Sequence, residues 1–425
     1  MCLRQNGEIA ESPSDPFLRN VLTNILKLQR KSFKGKKSVI KVNKVAHILG
    51  VAHSITCHDP HYNPTDAFVT CTIYLARLLH RQHYTVYIYG VEGSSEKECT
   101  EVVSVVTSET YNKVYGGRDN NKLNSYNDSC NDAWTEFTVN SVVEIKKRQQ
   151  DELDLVLPMF GMAHKTLTDI LQKEGFGVVI EPCIGHPGSY ADFKVFCSYA
   201  WWYYQMGKNN IQHGHAYHCV IPHFVDINDY PLHVDKDCSY AVYIGRIQHD
   251  KGVVMAIHAT RVVGIKLFVI GNGDLTDICD RESLSHVVQL GVLDIKQKVA
   301  YLQRARCVFV PTLYIEPFSL ACLEAQMCGT PCLVSRWGGP SEIVINGKTG
   351  FHCDTLASYV KGLELCITLN PSTIRNEAQA RFSIEAVTDY FIEYFHKVQQ
   401  FINKEKHFYT PTGEFKGRGK LFLTA

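Results

Sequence analysis

Two carboxylates, Glu316 and Glu324, stand eight residues apart in the stretch YIEPFSLACLEAQMCGTPCLVSRWGGPSEIVINGKTG, which runs from Tyr314 to Gly350. A carboxylate accepts two hydrogen bonds, so each can hold a pair of vicinal hydroxyls, one on a sugar and the other on a ribose. The segment Leu320 to Met327 suits a helix, and Cys328-Gly329 suits its stop. Upstream, Cys307 to Pro311 is a short apolar run of the kind that forms a buried parallel strand, which makes Thr312 to Pro317 the loop at its carboxyl end. Ligands of open α/β sheets bind outside the carboxyl ends of strands. A helix start there offers free N–H groups and a positive dipole end, which suits a phosphate. On spacing alone, an ordinary amphipathic helix with two exposed Glu is the simpler reading.

Other chemistry-bearing residues fall in the same half of the chain. Val242 to Ile247 is a strand entering a Gly245-Arg246 turn, and Lys251-Gly252 follows just before a helix. Leu267 to Asp274 is a strand ending in Gly271-Asn272-Gly273, with Thr276 where the third glycine of a dinucleotide fingerprint would stand. Val287 to Val292 reads as the next strand. Val220 to Asp226 reads VIPHFVD.

Taken in order, these four segments resemble the retaining GT-B glycosyltransferases, in particular glycosyltransferase family 4. The resemblance is carried by the E-x7-E motif at Glu316 and Glu324, the G-R-x4-K-G pattern from Gly245 to Gly252, the strand ending at Gly271, and the V-I-P opening of the second domain. It implies that Arg246 and Lys251 clamp the diphosphate, whose charge grows as it departs. It also implies that Glu316 holds the donor sugar, that Glu324 holds the ribose, and that Phe318, Ser319 and Leu320 present backbone N–H groups. Gly245 and Gly271 would line the donor site. Ser319 stands where the family usually has glycine, and its side chain would crowd a donor against the backbone. Many members place a histidine in a loop like that following Gly177 to Ile180, which makes His186 the candidate and Glu181 the second choice. Such enzymes work without a metal or other cofactor, and no Asp-x-Asp motif stands in a convincing loop.

The elements that must position these residues alternate strand and helix. Lys44 to Val51, Thr85 to Tyr89, Asp154 to Pro158 and Gly177 to Ile180 read as strands, and Ala67 to His80 as an amphipathic helix capped by Asp66. The loop before that helix runs His58 to Asp66 without the family's paired glycines. Phe193 to Gln205 is strongly aromatic and could stack sugars, although a buried helix face is the plainer reading. His213, His215 and His218, and His58 with His61, have metal-like spacing but read more simply as loop histidines.

The chain has 425 residues, a net charge of +1 and 16 cysteines. The charge gives no general drive toward nucleic acid. The cysteines, many in apolar runs, read as reduced thiols of a cytoplasmic protein. No apolar run reaches the roughly 18 residues of a bilayer span, and Met1 to Asp15 lacks the apolar core of a signal peptide. Lys34, Lys36, Lys37 and Lys41 could touch anionic lipid at a membrane surface, but a solvated arm is simpler.

The expectation is an α/β protein of GT-B fold, two Rossmann-like doubly wound domains facing a cleft. Its parts would be an arm (1–40), an acceptor domain (41–218), a nucleotide-sugar domain (219–382), a helix crossing back to the first domain (383–403) and a polar tail (404–425). The expected reaction moves a hexose or pentose from a nucleoside-diphosphate sugar to a hydroxyl of a glycan or glycoconjugate, with retention. A nucleotide-sugar epimerase of the same fold and a non-catalytic glycan-binding protein are the alternatives. A dehydrogenase would need the missing third glycine, and a glycosidase would need two carboxylates facing one bond.

Overall fold

The computed structural model describes residues 43–56, 66–116 and 130–403. The N-terminal arm, the His58 to His61 segment and the tail from 404 onward lie outside these described residues.

Strands buried on both faces read as continuous apolar runs, and two sets of them form two parallel sheets. The first contains β1 (Val45–Leu49), β2 (Thr85–Val91), β3 (Glu101–Val106), β4 (Leu155–Pro158), β5 (Val178–Ile184), β6 (Phe193–Phe196) and β7 (His218–Val220). Their order is β3-β2-β1-β4-β5-β6-β7. The second contains β8 (Tyr240–Ile244), β9 (Lys266–Ile270), β10 (Val287–Gly291), β11 (Val308–Val310), β12 (Cys332–Ser335) and β13 (Gly350–Cys353), in the order β10-β9-β8-β11-β12-β13. Order reverses between β1 and β4 in one sheet and between β8 and β11 in the other. Loops leave such a point toward opposite faces and open a crevice at the strands' carboxyl ends.

Helices cross over between the strands. Ala67–Arg81 starts at Asp66, whose carboxylate caps the amides of Phe68 and Val69, and buries Val69, Cys71, Ile73, Leu75 and Leu79. The last helix, Ile384–Ile402, buries Val387, Phe391, Phe395 and Val398 along one stripe. It returns to the first sheet, where Gln399 donates to the carbonyls of Asn43 (3.1 Å) and Leu153 (2.8 Å) and Tyr394 donates to that of Tyr217 (2.5 Å).

Two expectations need correction. β5 does not stop at Ile180 but continues to Ile184, with Pro182 inside a register irregularity between Glu181 and Ile184, where a missing N–H is tolerated. The aromatic segment is β6 followed by a helix, Tyr199–Lys208, that buries only Trp201 and Gln205. These two residues, four apart, form one narrow stripe; Trp202 is half-buried against Phe196, and Tyr199, Tyr203 and Tyr204 are exposed at the β6–β7 side of the sheet.

Candidate active site

The second sheet's reversal point gathers the residues with chemistry. Lys251 follows β8 and Glu316 follows β11. The Lys251 ammonium lies 2.7 Å and 3.0 Å from the two carboxylate oxygens of Glu316 and 2.5 Å from the Tyr314 hydroxyl. Tyr314 in turn donates to Glu316, and the ammonium sits 5.0 Å above the Tyr314 ring. Both charged side chains keep a small exposed fraction, 16% and 14%. Burial and the Glu316 carboxylate push the Tyr314 phenol far up, so it remains a donor.

Backbone geometry makes this meeting possible. Gly252 has φ 70°, and a Cβ on it would lie 1.9 Å from the Pro311 carbonyl oxygen, so only glycine lets the β8 loop approach β11. Leu313 donates its N–H to the Asp250 carbonyl at 2.7 Å, lacing the same two loops. Glu316 is held from the other side by the Gly339 amide, which reaches its carbonyl at 2.8 Å. Gly271 packs on the turn after β8, since a Cβ there would lie 1.9 Å from the Gly245 carbonyl oxygen. That turn, bonded from Gly245 N to Ile270 O at 3.0 Å and from Ile247 N to Asn272 O at 2.7 Å, presents Arg246 to solvent.

The helix Leu320–Met327 begins at Ser319, which has φ 121° and whose hydroxyl accepts from the Cys322 amide at 3.3 Å. Phe318 is buried and meets His223 edge-on at 5.2 Å. The first amides of the helix have no partners within it, and they lie at the strand ends.

Glu324 is placed differently from Glu316. It is buried, with Lys298 2.7 Å from one carboxylate oxygen and the Tyr230 hydroxyl donating to the other at 3.1 Å. Tyr230 lies 3.4 Å from Tyr74, which donates to Asp229 at 3.0 Å, and Arg77 reaches the same Asp229 oxygen at 3.2 Å. Through the contact of Tyr230 with Tyr74, the motif's second carboxylate therefore neighbours a polar cluster on the helix Ala67–Arg81 of the first sheet.

His186 follows β5, beside Phe68 (5.7 Å) and Phe160 (6.4 Å), with its Nδ1 3.1 Å from the Pro187 carbonyl oxygen. Burial, with His223 nearby, holds its imidazole below the ordinary range, so it is neutral at pH 7. Glu181 lies inside β5, accepting from the amides of Tyr190 (2.8 Å) and Ala191 (2.9 Å), and burial lifts its carboxyl to about 7.

The two sheet domains meet at Pro317. Its carbonyl accepts from Ser198 at 2.5 Å, and Glu342 of the second domain accepts from the amides of Tyr199 (3.1 Å) and Ala200 (2.6 Å) at the start of the exposed aromatic helix. Beneath Phe318, Cys71 lies 3.5 Å from Nδ1 of the buried His223. Burial opposes charge on that imidazole, but Cys71 and Cys197 hold its pKa well above the usual value.

Sequence reasoning singled out Lys251, Glu316 and the glycines, which the fold brings together, but not Tyr314, Lys298, Tyr230 or Glu342, which contact the residues it named or the domain junction. Only Tyr314, two residues before Glu316, carried a local signal. Among the described residues no three His, Cys, Asp or Glu side chains gather as metal ligands would, and His215 and His218 stand 4.9 Å apart, ring to ring. No helix among them is long and apolar enough to cross a membrane.

Residues 228–385 match the family model of glycosyl transferases group 1. A glycogen synthase of Mycobacterium tuberculosis is 38% identical over 122 residues, which cover 26% of this chain and 29% of that protein. An uncharacterized glycosyltransferase of Methanocaldococcus jannaschii is 33% identical over 126 residues, 28% of this chain and 32% of that one. The matched segment is thus about a third or less of these relatives' length. Among solved structures, AviGT4, a glycosyltransferase involved in avilamycin A biosynthesis, superposes with TM-score 0.60 at 16% identity, covering 84% of this chain and 98% of that chain. The Anabaena protein Alr3699/HepE, solved with UDP and glucose, gives TM-score 0.59 at 13% identity, covering 83% and 99%. The chain therefore has the GT-B fold, and the match to the group 1 glycosyl transferases lies in its second sheet domain.

Proposed function

We propose that the protein transfers a glycosyl group from a nucleoside-diphosphate sugar to a hydroxyl acceptor, with retention at the anomeric carbon. The observation that carries this reading is the Lys251–Tyr314–Glu316 cluster at the β8–β11 reversal point, partly exposed and next to the Arg246 turn. Arg246 and Lys251 neutralise the diphosphate. Glu316 accepts from hydroxyls of the donor sugar, and Glu324 reaches the ribose from its buried position. His186 hydrogen-bonds the sugar from the first domain.

In the reaction the bond from the anomeric carbon to the phosphate oxygen breaks, and its electron pair stays on the phosphate. The acceptor oxygen forms the new bond from the same face, and its proton passes to the leaving phosphate oxygen, so no separate base is required. The cations act most strongly where that charge develops, in a site partly shielded from water. No metal, cofactor or nucleic acid is called for, and a membrane contact, if any, is peripheral. Cytoplasmic residence fits the thiol-rich chain.

The Anabaena protein of the same fold was solved in complex with UDP-glucose, which makes UDP-glucose the first donor to test. Thermal melting against UDP, GDP, ADP, dTDP, CDP and NAD identifies the nucleotide. Transfer is then followed by nucleoside-diphosphate release, with the product anomer assigned by NMR. Lys251→Ala and Glu316→Gln should each lower the rate by about 10²-fold or more. Unchanged rates in both would refute the assignment, and an isomerised donor without acceptor would favour the epimerase.

A further inference from the structure

The helix Tyr199–Lys208 exposes what its composition would have buried. Tyr203 is 61% exposed, Tyr199 41% and Tyr204 39%. The rings form a ladder. Tyr199 and Trp202 stack at 6.4 Å, Trp202 and Tyr203 at 6.0 Å, and Trp202 stacks in turn on Phe196 at 5.6 Å. The ladder starts one residue after Ser198, whose hydroxyl is bonded to the carbonyl of Pro317, the residue following Glu316. It is therefore continuous with the rim of the donor site.

We infer that this face is an extended binding subsite for an uncharged glycan, which makes the acceptor a saccharide chain rather than a small alcohol. The inference rests on the transfer reading only for the word acceptor. A pyranose lays its C–H face on an aromatic ring and directs its hydroxyls outward, where the tyrosine hydroxyls and the exposed Asn209, Gln212 and His213 can meet them. Charge complementarity selects the class. Lys208 is the only charged residue on the helix, which gives no cluster for an anionic polysaccharide or an anionic bilayer.

The test is native electrophoresis of the full chain through gels containing glycogen, yeast mannan or soluble β-1,3-glucan. In parallel, donor turnover without acceptor and co-sedimentation with phosphatidylcholine/phosphatidylserine vesicles are measured. The wild type should be retarded by at least one polysaccharide. Tyr203→Ala should weaken that binding roughly threefold to tenfold, as loss of one stacking ring does. Tyr203→Phe should retain it, and Ile367→Ala, at an exposed position elsewhere, should change nothing. With the retarding polysaccharide as acceptor, Tyr203→Ala should raise KM and leave kcat and donor turnover alone. Retardation in no gel, or retardation indifferent to a Tyr199→Ala/Tyr203→Ala pair, overturns the subsite, even where donor turnover upholds the transfer reading. Vesicle binding lost in Tyr203→Ala, with no retardation, overturns it in favour of a membrane contact. Ring-dependent retardation in a chain that turns over no donor upholds the subsite and defeats the transfer reading instead.

Discussion

Ser319 offers a test in which two small substitutions should move stability in opposite directions. Its φ of 121° and ψ of 94° lie where a Cβ is strained, and its hydroxyl caps the helix by accepting from Cys322 N at 3.3 Å. Such a conformation costs a non-glycine residue about 1–3 kcal/mol. Ser319→Gly removes that strain. Against it stand a few tenths of a kcal/mol for the cap and about 0.4–1 kcal/mol for the freer unfolded chain. The net expectation is a gain of about 1 kcal/mol. Ser319→Ala keeps the strain and loses the cap, a loss of about 1 kcal/mol. Urea midpoints at constant slope, with thermal midpoints in support, read the pair; 1 kcal/mol moves the thermal midpoint by about 2–4 °C in domains of 150–250 residues. A glycine variant no more stable than the wild type, or an alanine variant equal to the glycine one, would refute the strain argument. The glycine variant should also bind the donor no less tightly, since it clears the approach to the helix amides.

Glu181 sets a pH dependence. Burial raises its folded pKa to about 7 from an ordinary 4.5, so between those values the folded state binds more protons than the unfolded one. Its contribution to stability is therefore full below about pH 4.5 and is lost as pH rises through 7. Glu181→Gln should be more stable than the wild type at pH 8 and should lose that advantage at pH 5, which melting curves at both values would reveal. At Gly252, alanine would meet the Pro311 carbonyl oxygen at 1.9 Å with φ 70°, so Gly252→Ala should destabilise by more than about 1 kcal/mol and weaken donor binding by displacing Lys251. Lys298→Met leaves Glu324 buried without its cation and should cost about 3–5 kcal/mol, whereas Lys298→Met with Glu324→Leu should recover most of that loss in a urea double-mutant cycle.

The Lys251–Glu316 half of the site was legible because its chemistry is local in sequence. A strand, a glycine turn and a charged residue recur within about ten positions after β8 and β9, a strand and Glu316 do so at β11, and parallel strands place such loops side by side. The bounds of the helix Leu320–Met327 followed from the same kind of signal, since Gly329 with φ 74° ends it. What was not legible depends on residues far apart in the chain. The buried partner of Glu324 comes from a helix 26 positions earlier, and the cap on the amides of Tyr199 and Ala200 comes from Glu342. Burial of the aromatic helix also escaped composition, because rings all round a helix suggest a core, while only the packing at the sheet edge decides how many are covered. The continuation of β5 through Glu181 and Pro182 was hidden by residue types that strands seldom contain.

The motif's two carboxylates have come to differ in kind. Glu316 is paired through long, partly exposed side chains, and a ligand phosphate can compete for Lys251 and a sugar hydroxyl for the carboxylate. Glu324 is fixed at both oxygens by groups that are themselves buried, Lys298 and Tyr230. Tyr230 also packs against Tyr74, which donates to Asp229. Breaking either bond to Glu324 leaves a buried polar group without its partner, at about 1–3 kcal/mol each. The consequence is directional: Tyr74 belongs to the first sheet's helix and Glu324 to the helix Leu320–Met327. A shift of one sheet domain against the other therefore disturbs the packing of Tyr74 on Tyr230, the residue that donates to Glu324, while Glu316 and Lys251, both on the second sheet, move together. Tyr74→Phe, which leaves Asp229 without that donor, should then alter how domain arrangement affects nucleotide affinity more than it alters the Lys251–Glu316 pair. Equal nucleotide affinity and equal stability in Tyr74→Phe and the wild type would remove the Tyr74 contact from the account.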